Sequence, residues 1–471
     1  MNLPRAISKT FGVKVLNRAV SLVAMSIFAH ELGASVLGTY FLLQMLLNVL
    51  ELPADWGLKD GVEKRMSEGE QRANFLGTGL ALKAALLVVP STVVYLFRGP
   101  VNDYLGAELA GVFVVLFVVN TMENFTVKVL RGELKVEKIA TLQFVRHYVR
   151  IGVGLGLVVL GYGLDGLVAG LLVSSLVVLT WGWYERDTPV GRPTIEHARS
   201  LIEFAKYDFV GSIGGRVDNW LDTALIGLLL SPAAVGAYEV AWRISNMATM
   251  LSGSVRSSMF PQISAWSAND ASEEIESAIP DLITVSLLFV VPALFGSLLL
   301  ADRVLGLVFG PEFVTAALVL VVLMGEKTIK APHTVFGPVL TGTDRPDLAA
   351  RAVLIAAGLN FVLNVVFIQR FGIVGAAIAT LLATATLFVL RLRYLRDVVT
   401  IAFPIANVRA MVLAATGMFA LLWVALRFVS VDTIPKLFVT IGTGAVLYVV
   451  FVFTAGSIRD TLGTFVREAT E

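Results

Sequence analysis

The sequence predicts an all-α polytopic membrane protein, and three observations carry that prediction. Of the 471 residues, 56% are hydrophobic and only 15% are charged, whereas a soluble domain carries roughly a quarter charged residues. The mean hydropathy is +0.79, too apolar for a surface coated by water. Apolar runs of about twenty residues, the length that crosses a bilayer as a helix, recur along the whole chain with no loop between them long enough for a soluble domain.

Taken in order, about fourteen such runs are expected. They lie near 11–29, 36–52, 75–97, 109–128, 139–160, 164–184 and 207–230. The rest lie near 235–255, 282–300, 316–340, 349–368, 374–392, 408–428 and 437–453. Charges interrupt the first, seventh and tenth. The N-terminal stretch enters the first apolar run without a small-residue cleavage site, so it reads as a spanning helix and not as a removable signal. Tight turns such as Gly161-Tyr-Gly163 and Gln369-Arg-Phe-Gly372 join neighbours on one side. The longest loops are expected at 185–206 and 261–280.

Basic residues alternate between loops. Lys59, Lys64, Arg65 and Arg72 fall on one side, as do Arg131, Lys135 and Lys138, and then Arg186, Arg192 and Arg199. Basic loops stay in the cytoplasm, which places the chain in the cytoplasmic (cell) membrane with both termini on the cytoplasmic side.

The chain also repeats itself. Leu32-Gly-Ala-Ser-Val-Leu-Gly-Thr-Tyr40 has the spacing of Leu230-Ser-Pro-Ala-Ala-Val-Gly-Ala-Tyr238. In that register Arg18 falls on Arg216 and Asn48 on Asn246. A second echo sets Gly161-Tyr-Gly-Leu-Asp-Gly166 against Arg370-Phe-Gly-Ile-Val-Gly375. The expectation is two pseudo-symmetric six-helix bundles, 1–184 and 207–392, joined by a cytoplasmic linker at 185–206. Two extra spans and a tail follow at 393–471. Transporters built from such repeats place the substrate between them near the bilayer midplane.

With no cysteine, disulfides, thiol catalysis and Cys-ligated metals are excluded. No metal-ligand spacing, phosphate-binding glycine loop or catalytic triad signature occurs. The chain is therefore not expected to be an enzyme, to carry a cofactor or to bind nucleic acid.

Several stretches carry a family resemblance: Leu32-Gly-x-x-x-x-Gly-x-Tyr40, Val235-Gly-Ala-Tyr-Glu-Val-Ala-Trp-Arg243 and Val308-Phe-Gly-Pro-Glu-Phe313. Asn360-Phe-Val-Leu-Asn364 and Phe371-Gly-Ile-Val-Gly-Ala-Ala-Ile-Ala-Thr380 complete the set. Their order resembles the polysaccharide flippase (Wzx-type) branch of the multidrug/oligosaccharidyl-lipid/polysaccharide exporter superfamily. The resemblance implies two bundles around a V-shaped cavity and alternating access without ATP hydrolysis. It also implies a lipid-linked oligosaccharide on a polyprenyl phosphate or diphosphate; membrane lipids, and H+ or Na+ as coupling ion, are further expected partners. It names no site residues, and His30 stands where the family often has Arg. Alternatives are an ion-coupled multidrug exporter of the same superfamily and a flippase of the peptidoglycan lipid precursor. A membrane-embedded glycosyltransferase would need larger polar loops.

Ionisable groups inside spans usually face a cavity or a partner. Arginine suits phosphate, because its planar guanidinium binds two oxygens at once. The substrate-binding candidates are therefore Arg18, Arg216, Arg146 and Arg150, with Asn48 and Asn246 related by the repeat. The competing reading makes Arg146 and Arg150 interfacial anchors whose heads snorkel to water. Asp218 and Asp222, one turn apart, are candidates to bind a coupling ion, or they only neutralise nearby arginines. Glu326 and His333, near Lys327 and Lys330, form either a proton-sensitive group or a self-neutralised knot. Glu239 and Arg243 read as an intrahelical ion pair.

Overall fold

The computed structural model describes residues 3–254, 263, 266, 272–342, 345–396 and 400–461. Side chains are described throughout these except at 3–16, 206–219, 272, 338, 341–342 and 346. The helices are α1 (Leu3–Asp55), α2 (Leu58–Ser67), α3 (Arg72–Leu96), α4 (Arg98–Leu105), α5 (Ala110–Gly132) and α6 (Val136–Leu157). They continue as α7 (Gly163–Tyr184), α8 (Ile195–Leu229), α9 (Pro232–Met247), α10 (Ser272–Leu287) and α11 (Val290–Val308). The last are α12 (Ala317–Gly342), α13 (Pro346–Leu395), α14 (Ile405–Ala425) and α15 (Ile434–Val452). No strand occurs among the described residues. In a bilayer every backbone N–H and C=O must find a partner inside the protein, and a helix supplies one locally.

The expected segments fall on these helices, except that the eighth, 235–255, runs past the end of α9 at Met247 and the ninth, 282–300, straddles α10 and α11. Eight stretches of the described chain are long and apolar enough to cross a membrane. Three of them, Asn17–Asp55, Val136–Tyr184 and Asp347–Leu395, each hold two expected segments, broken at Gly33, Gly161–Gly163 and Gly372. Large apolar side chains stand exposed along the helices, among them Val89, Leu96, Leu354, Leu413 and Val439. Lipid tails solvate such a surface as well as a protein interior would.

Two expected loops are shorter than the sequence suggested. The linker at 185–206 is non-helical only as far as Thr194, which caps α8 by accepting from the His197 N–H at 3.2 Å. A Thr cap satisfies one of the unpaired amides of the first turn. Within the expected loop 261–280, helix α10 has already begun at Ser272. Its acidic start, Glu273 and Glu274, suits the positive end of the helix dipole.

The chain forms two compact units, Ile27–Gly236 and Met1–Ser26 with Ala237–Glu471. The boundaries fall inside α1 and α9, so these units differ from the repeats drawn from the sequence. Packing defines the former and internal similarity the latter.

The glycine geometry bears on the repeats. Gly163 (φ 52, ψ −127) and Gly372 (φ 60, ψ −141) are equivalent in the second echo and share one backbone conformation. That region is essentially closed to other residues. Three residues on, Gly166 and Gly375 each lie against the preceding helix. A Cβ on the first would stand 3.0 Å from Leu157 Cβ, and one on the second 2.0 Å from the Phe367 carbonyl oxygen.

Within Ile27–Gly236 the first echo meets itself. A Cβ on Gly38 would stand 1.6 Å from the Pro232 carbonyl oxygen, and one on Gly236 2.0 Å from the Ala34 carbonyl oxygen. Gly38 matches Gly236 in the repeat register, and Ala34 matches Pro232. The contact is thus reciprocal, as expected where two copies of one segment cross about a two-fold axis.

Candidate functional site

In the Ile27–Gly236 unit, helices that read as apolar spans bury a seam of charge. Helix α5 carries Glu123, whose side chain is only 1% exposed. Its Oε1 lies 2.9 Å from Arg146 Nε of α6 in an ion pair, and Arg146 remains 35% exposed. Arg150, one turn along α6, and Ser175 of α7 also act on the Glu123 carboxylate, as does Glu51 of α1. Small residues at Gly166, Gly170 and Ser174 give α7 a narrow face, the pattern that lets membrane helices approach closely. A Cβ on Gly170 would stand 2.7 Å from the Arg150 carbonyl oxygen. That approach sets Ser175 beside Glu123.

The seam continues along the unit. Lys59 pairs with Glu51 at 2.7 Å and with Asp55 at 3.6 Å. Lys83 of α3, wholly buried, pairs with Asp55 at 2.5 Å, and Asn124 donates to Glu51 at 3.2 Å. Lys128 pairs with Asp60 and with Glu63, the latter at 2.6 Å. Beyond the span, Glu133 anchors the non-helical linker by accepting from the Asp187 and Thr188 amides at 3.2 and 2.8 Å. Burial opposes its ionisation, but the donors on Thr188, Asp187 and Lys135 outweigh burial and hold its carboxyl below the ordinary range.

Sequence reading singled out Arg146 and Arg150 and missed Glu123, Glu51, Asp55 and Lys83. The available signal was an acid or lysine within or at the end of an apolar run, as at Glu123 in 109–128 and Lys83 in 75–97. Asn48 donates its side-chain amide to the Gln44 carbonyl at 2.8 Å, one turn back on its own helix. Asp222 is half-buried. The side chains of Arg216 and Asp218 lie outside the described residues, so their expected roles remain proposals.

The other unit holds the remaining candidates. Arg18 is exposed, and its charge lies close enough to that of Arg243 for the two to repel. Arg243 forms the expected intrahelical pair with Glu239 at 3.3 Å. The Asn246 amide nitrogen is buried without a hydrogen-bond partner among the described residues. Glu326 is fully buried, 2.5 Å from Lys327 and 3.8 Å from Lys330, and accepts from the Thr384 hydroxyl at 3.1 Å. Those partners favour the self-neutralised reading for Glu326; His333 is buried nearby in sequence on the same helix. An apolar cavity of about 500 Å3 is walled by Leu22, Ile244, Phe289, Met418, Phe438 and Tyr448, with no charged side chain in its lining. Among the described residues no group of acids and histidines is arranged to hold a metal ion.

Apolar helices long enough to span a bilayer, with paired charges buried between them, define a class, that of multi-pass helical membrane proteins with charge inside their spans. Comparison with known proteins narrows it. The polysaccharide biosynthesis protein family matches residues 27–318, and the chain belongs to that family. It is 37% identical over 461 residues to the probable low-salt glycan biosynthesis flippase Agl15 of Haloferax volcanii, with 98% of each chain covered. It is 29% identical to the probable flippase AglR of the same organism, over 95% of this chain and 94% of that one. Among solved structures it resembles the lipid II flippase MurJ in an inward closed conformation, with a TM-score of 0.74. That match covers 96% of this chain and 99% of the other at 15% identity, a likeness of fold. By its family and by its 37% identity to a glycan biosynthesis flippase the protein is a membrane flippase, and not an enzyme.

Proposed function

We propose that the protein moves a lipid-linked oligosaccharide from the cytoplasmic to the outer leaflet of the cell membrane by alternating access. The observation that carries this reading is the Arg146–Arg150 pair set against one buried carboxylate, in a chain 37% identical to a glycan biosynthesis flippase. Two guanidinium groups one turn apart suit a phosphate or diphosphate, which takes paired hydrogen bonds from each. The apolar cavity supports the lipid part of the reading, because its lining offers a headgroup no charge while accepting a hydrocarbon chain.

Arg18, Arg216, Asn48 and Asn246 are further headgroup contacts in this proposal, and both termini lie in the cytoplasm. The repeat boundaries 1–184 and 207–392 stand as the evolutionary halves. Asp218 and Asp222 bind H+ or Na+, coupling transport to an ion gradient, with Glu326 and His333 as the other ion-coupling candidates. The test is deletion of the gene followed by isolation of lipid-linked glycans. Accumulation of one glycan on the cytoplasmic leaflet, reversed by the restored gene, supports the proposal. Normal glycan export with new sensitivity to organic cations would point to a drug exporter.

A further inference from the structure

We infer that Glu123 is a positioning residue that presents the Arg146 guanidinium to the phosphate of the substrate headgroup. The inference rests on the reading of Arg146 and Arg150 as headgroup contacts.

Glu123 itself is too buried to touch a substrate, with 1% of its side chain exposed against 35% for Arg146. It engages Arg146 through Nε at 2.9 Å. A guanidinium held at Nε keeps its outer edge, the two Nη nitrogens, for an oxyanion, and that edge can donate two parallel bonds. An arginine side chain otherwise has many rotamers, and fixing it in advance removes an ordering cost from ligand binding.

The charges at the carboxylate agree. Arg146 and Arg150 approach Glu123 from α6, Ser175 approaches from α7 and Glu51 from α1. Glu51 is already paired with Lys59. On α3, Lys83 is taken by Asp55, and on α2 Asp60 and Glu63 are taken by Lys128. Arg131, 4.0 Å from Glu63, balances the second of those two acids, so among the described residues the Glu123 carboxylate faces two arginines, one more than it neutralises.

Among the described residues the Glu123 Oε2 is buried without a well-formed hydrogen bond, although the Ser175 side chain lies beside the carboxylate. A buried ion pair is a poor source of stability, and an apolar pair of similar volume often does as well or better. Stability alone does not account for a carboxylate held this way. Orientation of the guanidinium does.

The test uses the full-length protein in lipid vesicles and a fluorescent polyprenyl-phosphate-linked saccharide, with initial transport rates measured against probe concentration. Glu123→Gln keeps the size of the side chain and removes its charge. It should raise the apparent KM about tenfold, the loss expected for one charge-assisted hydrogen bond, while kcat changes little. Glu123→Asp should recover part of the loss. Glu123→Gln combined with Arg146→Gln should be no worse than Arg146→Gln alone, because the carboxylate acts through that arginine. An unchanged KM with lowered kcat or thermal stability would make Glu123 structural and overturn the inference. If Glu123→Gln yields no folded protein, Glu123→Asp decides, since its shorter arm shifts the guanidinium. A parental KM in that variant also overturns the inference. Should Arg146→Gln and Arg150→Gln both transport with parental KM, the headgroup reading itself falls, a result distinct from failure at Glu123 alone.

Discussion

At the scale of single residues, Lys83 shows what a buried charge costs when its partner is removed. Its side chain is wholly buried and its ammonium meets Asp55, itself 6% exposed. Lys83→Met should leave Asp55 with only the more distant Lys59, 3.6 Å away, and destabilise the protein by up to roughly 3–5 kcal/mol, the cost of breaking a buried pair. Thermal unfolding in detergent reads this directly. The double variant Lys83→Met, Asp55→Asn should recover much of the loss, and failure to do so would show that Lys59 is the main partner of Asp55. At Asp222 the prediction concerns coupling. Transport in vesicles with an imposed proton or sodium gradient should lose its gradient response in the Asp222→Asn and Asp218→Asn variants. A parental response would make both carboxylates structural. The partners of these charges were hidden from sequence reading for a physical reason. Glu123 and Arg146 lie on different helices, and which faces meet depends on helix rotation and crossing.

At the scale of elements, glycines set how helices turn and cross. Gly163 and Gly372 hold backbone conformations that cost a side chain about 1–3 kcal/mol, so Ala at either position should lower the thermal midpoint by a similar amount in each copy. Clearly unequal losses would argue that the two turns are not equivalent. The helix crossing should be less forgiving. A side chain at Gly38 meets backbone at 1.6 Å, and backbone yields less readily than a flexible side chain. Gly38→Val should therefore abolish folded protein or export, whereas Gly111→Ala, where a Cβ meets nothing within 4 Å, should be tolerated. The linker gives a pH dependence. Glu133 is held below the ordinary carboxylate range, so its stabilising contribution is complete above that range and is lost as acid takes pH down through the lowered value. Proteolysis at Arg186 or Arg192 should quicken in that acidic window, and Glu133→Gln should show the same quickening at neutral pH.

At the scale of the whole molecule, orientation is the open prediction. Single cysteines can be placed on this chain without removing any native one. In whole cells an impermeant thiol reagent should label Ser231→Cys and spare Ser67→Cys, both exposed positions. The reverse pattern would invert the topology drawn from the basic loops.

The sequence by itself determined that this chain crosses a membrane many times as helices, because a backbone in lipid has no other way to satisfy its polar groups. It also determined the duplicated motifs, since tight turns and close crossings admit only glycine at fixed spacings. The tertiary structure alone decided that Ala34–Gly38 and Pro232–Gly236 touch reciprocally, that the linker is tied to Glu133, and that Arg146 answers to Glu123. Those contacts join residues far apart in the chain, and a hydropathy pattern records which residues leave water but not which ones meet.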